Sequence, residues 1–177
     1  MNEILLALMS HMRWADALIA DALQRDAPND AESARLFAHI ASVEHLWYTR
    51  IQGQPASYAV WPPLAVTEAR AVAAEHADLF AHFVGAADAT ALTRRVHYRN
   101  SAGFDFHNSV AQIVTHTAMH GSHHRGQILR QLRASGIEPP YVDYIQFARR
   151  DQIAPAPAPA AALQPNLSAS APRVREG

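Results

Sequence analysis

Apolar residues recur at intervals of three and four through most of the first 135 positions, the spacing of a helical face turned toward a core. From about Asn2 to Asp26 the stripe is Ile4, Leu5, Leu8, Met12, Ala15, Leu18, Ile19 and Ala22, and Ala27-Pro28-Asn29 ends it. Asn29 is then the expected N-cap of a second helix, with Glu32 as its capping-box partner. That helix carries Leu36, Ile40, Val43 and Trp47 on one stripe and reaches about Ile51. Gln52 to Val66, with Gly53, Pro55, Pro62 and Pro63, reads as a loop. Thr67 opens a third helix to about Ala86, bearing Val72, Leu79, Phe80 and Phe83. Between Arg94 and His107 the period falls to two, so Val96-His-Tyr-Arg and Gly103-Phe-Asp-Phe predict a short hairpin or an extended crossover. Asn108 or Ser109 opens a fourth helix to about Ser135, where Gly136 is a natural stop. Tyr141 to Ile153 has room for one short helical turn. The pattern predicts an all-α fold, an antiparallel four-helix bundle with a long connection before the last main helix.

Composition narrows what such a bundle does. The length suits one domain, expected over residues 1–153; the Ala-Pro repeat from Ala154 cannot bury enough apolar surface to fold, so 154–177 is expected to be a disordered tail. Fifteen basic and 16 acidic residues leave a net charge of −1. Neither nucleic acid nor an anionic membrane is therefore expected as a partner. No run approaches the roughly 20 apolar residues of a membrane span, and the N-terminus lacks the features of a signal peptide. A cytoplasmic location is the expectation. There are no cysteines, which excludes disulfides, thiolate metal sites and a cysteine nucleophile. The eleven histidines are the oddity, and any metal site must use nitrogen and oxygen ligands.

Four of those histidines fall within nine residues, in His116-Thr-Ala-Met-His120-Gly-Ser-His-His124. Residues four apart share a helical face, so His120 and His124 can present two imidazoles to one point. At about 100° per residue, Val110, Val114, Gly121, Ile128 and Leu132 form the buried stripe, and His124 and His120 lie roughly 60° and 100° from its centre. His116 is farther round and His123 nearly opposite. Gln127 falls between His116 and His120 and can orient an imidazole from behind the ligands. Gly121 would let another helix or a ligand approach the backbone. On the second helix His39 flanks the stripe while His45 projects away. Each placement has a plain rival: a solvated histidine-rich face for His120 and His124, and a core histidine bonded to a carbonyl for His39. Glu44 can accept from a ligand histidine or be a solvated carboxylate. His11, His76, His82, His97 and His107 read as surface or packing residues.

The segments Met12-Arg-Trp-Ala-Asp-Ala-Leu, Ala38-His-Ile-Ala-Ser-Val-Glu-His-Leu-Trp47 and His116 to Gln127, ending His-Arg-Gly-Gln, resemble motifs of the DinB/YfiT-like superfamily of metal-binding four-helix bundles. Tyr141-Val-Asp-Tyr-Ile resembles the segment that commonly follows them. The resemblance spans about residues 2 to 150. It implies three histidine ligands from two helices, matching His39, His120 and His124, and a homodimer packed through helix faces. Characterised members include transferases and isomerases that use a low-molecular-weight thiol, whereas many others have no established reaction.

The expected protein is thus a metalloenzyme holding a divalent ion (zinc, nickel, iron or manganese) on those three histidines with an open position, as in catalytic zinc sites. A thiol cosubstrate acting on a small molecule is the leading chemistry. Metal-assisted hydrolysis and a non-catalytic metal- or ligand-binding stress-response dimer are the alternatives. Glu44, His116 and Asp143 are candidate acid–base groups, Gln127 and His116 are placed behind the ligands, and Trp14, Trp47 and the Tyr58–Trp61 loop are the expected pocket walls.

Overall fold

The computed structural model of the chain describes residues 2–100 and 102–152; the expected tail lies outside the described residues. These form a mostly helical fold: α1 (Asn2–Arg25), α2 (Ala31–Gln52), α3 (Val66–Ala86), a short α4 (Ala89–Thr93), strands β1 (Arg95–Arg99) and β2 (Asp105–Ser109), α5 (Val110–Ala134) and a short α6 (Tyr144–Arg149). The hairpin expectation is realised, with β1 antiparallel to β2 and His97 opposite His107. The fold is therefore not purely α-helical.

Two helix starts differ from the sequence reading. The N-cap of α2 is Asp30, not Asn29: its Oδ1 accepts from Ser33 N–H at 3.0 Å and its Oδ2 from the Ser33 hydroxyl at 2.6 Å. Glu32 is consequently free of the cap and chelates Arg35 instead. Helix α3 begins one residue before Thr67, because Glu68 reaches back to accept from the Ala65 N–H at 2.9 Å and satisfies that orphan donor. Helix α5 opens as expected at Ser109, whose capping box with Gln112 satisfies two orphan donors. Gly136 follows its end at φ +75°, a conformation that favours glycine.

Helices α1 and α2 each pack against both α3 and α5 and barely against each other. Pair contacts give the directions. Asp21 meets Arg70 and Arg13 meets Asp78, so α1 and α3 run oppositely. Along α2, His39 faces His124 while Trp47 faces His116, so α2 and α5 also run oppositely. His45 with His76 and Tyr48 with Phe80 make α2 and α3 advance together. Neighbours are therefore of both senses rather than uniformly antiparallel. A thirteen-residue connection, 53–65, is what allows it, since parallel neighbours need a crossover back along the helices.

The core is two apolar clusters separated by a polar layer. One holds Ile19, Leu23, Phe37, Ile40, Ile128 and Leu132; the other holds Met9, Met12, Phe80, Val110, Ile113 and Val114. Between them Asp16 of α1, Glu44 of α2 and Arg125 of α5 are all almost wholly buried. Arg125 Nη1 donates to Asp16 Oδ1 at 2.8 Å. Gly121 is where the guanidinium lies: a Cβ there would stand 2.8 Å from Arg125 Nη1. The space at Gly121 is thus filled by an arginine from its own helix, not by a ligand or a neighbouring helix. Among the described residues no helix is long and apolar enough to cross a membrane.

Candidate metal centre

His39 comes from the middle of α2 and His120 and His124 from successive turns of α5, where the two helices pack face to face. Each offers one ring nitrogen, and these nitrogens all lie within 4.8 Å of one another. Nitrogens around a tetrahedral zinc stand roughly 3.3 Å apart, from a metal–nitrogen bond of about 2.05 Å. Small side-chain adjustments reach that value. The group could hold a metal ion, and the donor chemistry fits one.

The fit extends to the far side of two rings. His39 Nδ1–H donates to the Val60 carbonyl at 2.7 Å, and Ser42 Oγ donates to the same carbonyl at 2.8 Å. His124 Nδ1–H donates to Gln127 Oε1 at 2.7 Å. Both bonds leave Nε2 free to point inward, the tautomer a metal ligand needs. Gln127 completes a chain by donating to His123 Nε2 at 3.3 Å. Trp61 lies flat on His39, ring centroids 3.7 Å apart at 8°. The 53–65 connection therefore supplies both the carbonyl and the aromatic wall that set the His39 ring.

That connection is itself tied down two turns further along α2. Ser57 N–H donates to His45 Nε2 at 2.9 Å, which leaves His45 Nδ1–H to donate to His76 Nε2 at 3.0 Å and His76 Nδ1–H to donate to the Val72 carbonyl at 2.8 Å. Only neutral rings satisfy this chain. His45 and His76 are buried, so their packing role is a polar one that anchors a loop.

Burial disfavours the protonated form of two of these rings, His120 and His39. Burial first, and then the neighbouring His124, His39, His116 and His123, push the pKa of His120 down to about 3. Burial also lowers His39, partly offset by its bond to Val60 and reinforced by His124 and Arg35. An imidazole with a lowered folded pKa binds fewer protons folded than unfolded, so its contribution to stability is present above about 6.5 and lost as pH falls below it. Metal-free protein is expected to lose urea resistance between pH 7.5 and pH 5. Glu44, whose pKa is raised, acts in the opposite sense, so the informative contrast is with His120→Gln, where the loss must be smaller. An equal loss in both proteins would contradict the placement of His120.

The remaining candidates are placed differently from expectation. Glu44 is buried with no partner for either oxygen, so it is neither bonded to a ligand histidine nor solvated. Burial, then the Asp16 carboxylate, hold it well above the usual carboxylate range against the pull of Arg125. That direction favours the protonated acid, whose proton can satisfy Asp16 Oδ2, which lacks another partner. His116 is 5.6 Å from His120 between ring centroids and 5.1 Å from Trp47, outside the converging set. It lines a pocket of about 230 Å³ with Trp47, Tyr98, Asn108 and Gln112. Trp14 is remote from the triad, packing on His11 and Phe147 and lining a separate cavity between α1 and α3. Asp143 stands at the start of α6. Trp61 is the wall the sequence reading named only as part of a loop.

Arg125 and Asp16 were not singled out from the sequence, although a signal existed. Asp16 sits between Met12 and Ile19 on one apolar stripe, and Arg125 between Gly121 and Ile128 on another. Opposite charges set into two buried stripes require each other. Comparison with known proteins adds one finding: the model of the DinB family matches residues 1–157. No curated protein and no solved structure matches the chain.

Proposed function

The chain belongs to the DinB family, and from that premise we propose that it is a divalent-metal-binding protein with His39, His120 and His124 as ligands, working as a metal-dependent transferase with a low-molecular-weight thiol. The convergence of three imidazoles, two of them set from behind by Val60 and Gln127, carries this reading. Three protein ligands leave a position open for water or substrate, the arrangement of catalytic rather than structural sites. When bound, the ion would supply a Lewis acid that stabilises an anionic nucleophile near neutral pH. Three uncharged ligands leave its charge uncompensated, which favours a thiolate. The chain has no cysteine, so that thiolate must arrive as a cosubstrate.

The protein's own residues would do the rest. Trp61 and the Val60 carbonyl hold His39, Gln127 holds His124, and burial disfavours protonation of His39 and His120. Two helices contribute the ligands, and an antiparallel pairing of α2 and α5 within a four-helix bundle brings them to one level. A cytoplasmic homodimer is part of this reading, drawn from family resemblance. Metal-assisted hydrolysis is the runner-up, and a non-catalytic metal- or ligand-binding dimer is the alternative of another class.

Turnover of small electrophiles by metal-loaded protein, with and without thiols, tests the enzyme claim. The expected result is thiol-dependent turnover that His124→Ala lacks. Turnover without thiol would favour the hydrolase, and no difference between wild type and His124→Ala would end the enzyme reading.

A further inference from the structure

Beside the triad lies a cleft of about 430 Å³ whose lining includes the ring of His124 itself. Trp61 forms its wall, pinned on one face by His39 and on the other by the Arg35 guanidinium, 4.3 Å from the ring centroid. Stacking on both faces makes that wall preformed rather than induced. Gln127, Arg130 and Gln131 also line it.

The two arginines differ in what they have left to give. Arg35 is chelated by Glu32 through both carboxylate oxygens, at 3.0 and 2.8 Å, so its charge is spent. Arg130 has no ion pair and no hydrogen bond from its side chain among the described residues. A guanidinium is a planar fork that matches a carboxylate bidentately. It stands six residues beyond His124, about 9 Å along the helix axis.

We propose that this cleft binds the carboxylate of a small substrate whose other end reaches the triad, with Arg130 as the specificity-determining residue. This rests on the metal-binding reading above and adds the substrate class to it. A molecule fitting both points carries a carboxylate at one end and a metal-seeking anion, a thiolate or a second carboxylate, at the other. Leu36 and Trp61, which both line the cleft, border the apolar stretch between them. Glu32 faces the same cleft but is neutralised by Arg35, so the free charge toward a ligand is positive.

Cobalt(II)-loaded protein tests this without any assay of turnover. Its visible absorption is followed while acetate and then the straight-chain dicarboxylates from succinate to suberate are titrated in. One chain length is expected to bind at least ten-fold more tightly than acetate. In Arg130→Gln that advantage should shrink to within about two-fold, with cobalt affinity unchanged. Arg133→Gln, an exposed arginine of the same helix outside the cleft, should retain it. Full cobalt binding with no length preference, or a preference that survives Arg130→Gln, overturns the substrate class alone. Failure to bind cobalt stoichiometrically overturns the metal reading and this proposal with it.

Discussion

Alanine at His120 is expected to lower the affinity for zinc or nickel by more than about 100-fold, beyond the 10–100-fold typical of losing a partner one layer out. His120 stands between the other two ligands, 5.0 Å from His39 and 4.5 Å from His124 between ring centroids. Removing it leaves two nitrogens on different helices, which cannot complete even a three-point site. Elemental analysis of protein purified without a histidine tag measures the effect. Wild type should carry close to one ion per chain and His120→Ala very little. Gln127→Ala supplies the graded comparison, because it frees the His124 ring without removing a ligand. Substoichiometric metal in wild type and variant alike would mean the histidines are only packed or solvated side chains.

Replacing Arg125 with methionine is expected to cost about 3–5 kcal/mol of stability, the range for breaking a buried ion pair by removing one partner. The guanidinium is 1% exposed and its partner Asp16 3% exposed, so water cannot take its place. Without it the Asp16 carboxylate is an uncompensated buried charge beside Glu44, whose pKa burial and Asp16 already raise. Urea denaturation reads the loss as a lower midpoint at an unchanged slope. The triple replacement Asp16→Leu, Glu44→Leu, Arg125→Met should recover much of the stability, since a well-packed apolar layer can match a buried ion cluster. Gly121→Ala should fall between the two, because its Cβ can be admitted only by moving Arg125 Nη1 off Asp16. A single Arg125→Met that unfolds like wild type would show the pair to be energetically idle.

Much of this was legible from one-dimensional pattern. The three-and-four spacing located all four long helices, because an amphipathic stripe is a local property of the chain. Asn108 or Ser109 and the trailing Gly136 marked the ends of α5 for the same reason, and the structure caps the helix at Ser109. His120 and His124 could be paired on a projection, since four residues of helix separate them whatever surrounds the helix. The Asp30 cap went astray because Asn29 and Asp30 are equally good side chains for the position, and only the backbone angles choose between them.

What the sequence by itself determined, then, was the set of helices, the absence of any cysteine ligand or nucleophile, and one helix face carrying two imidazoles. The tertiary structure alone decided that α2 and α3 lie parallel, that Val60 and Trp61 come back from a long connection to hold His39, and that Glu44 faces Asp16 rather than a ligand. It also decided that Arg125 threads under Gly121 into the core and that Arg130 is left over at the mouth of a cleft. The physical reason is range. Helical faces and caps are settled by neighbours within four residues, whereas a buried charge, a shared carbonyl or a stacked ring depends on partners from 21 to 109 residues away, and no period along the chain encodes which of them will meet.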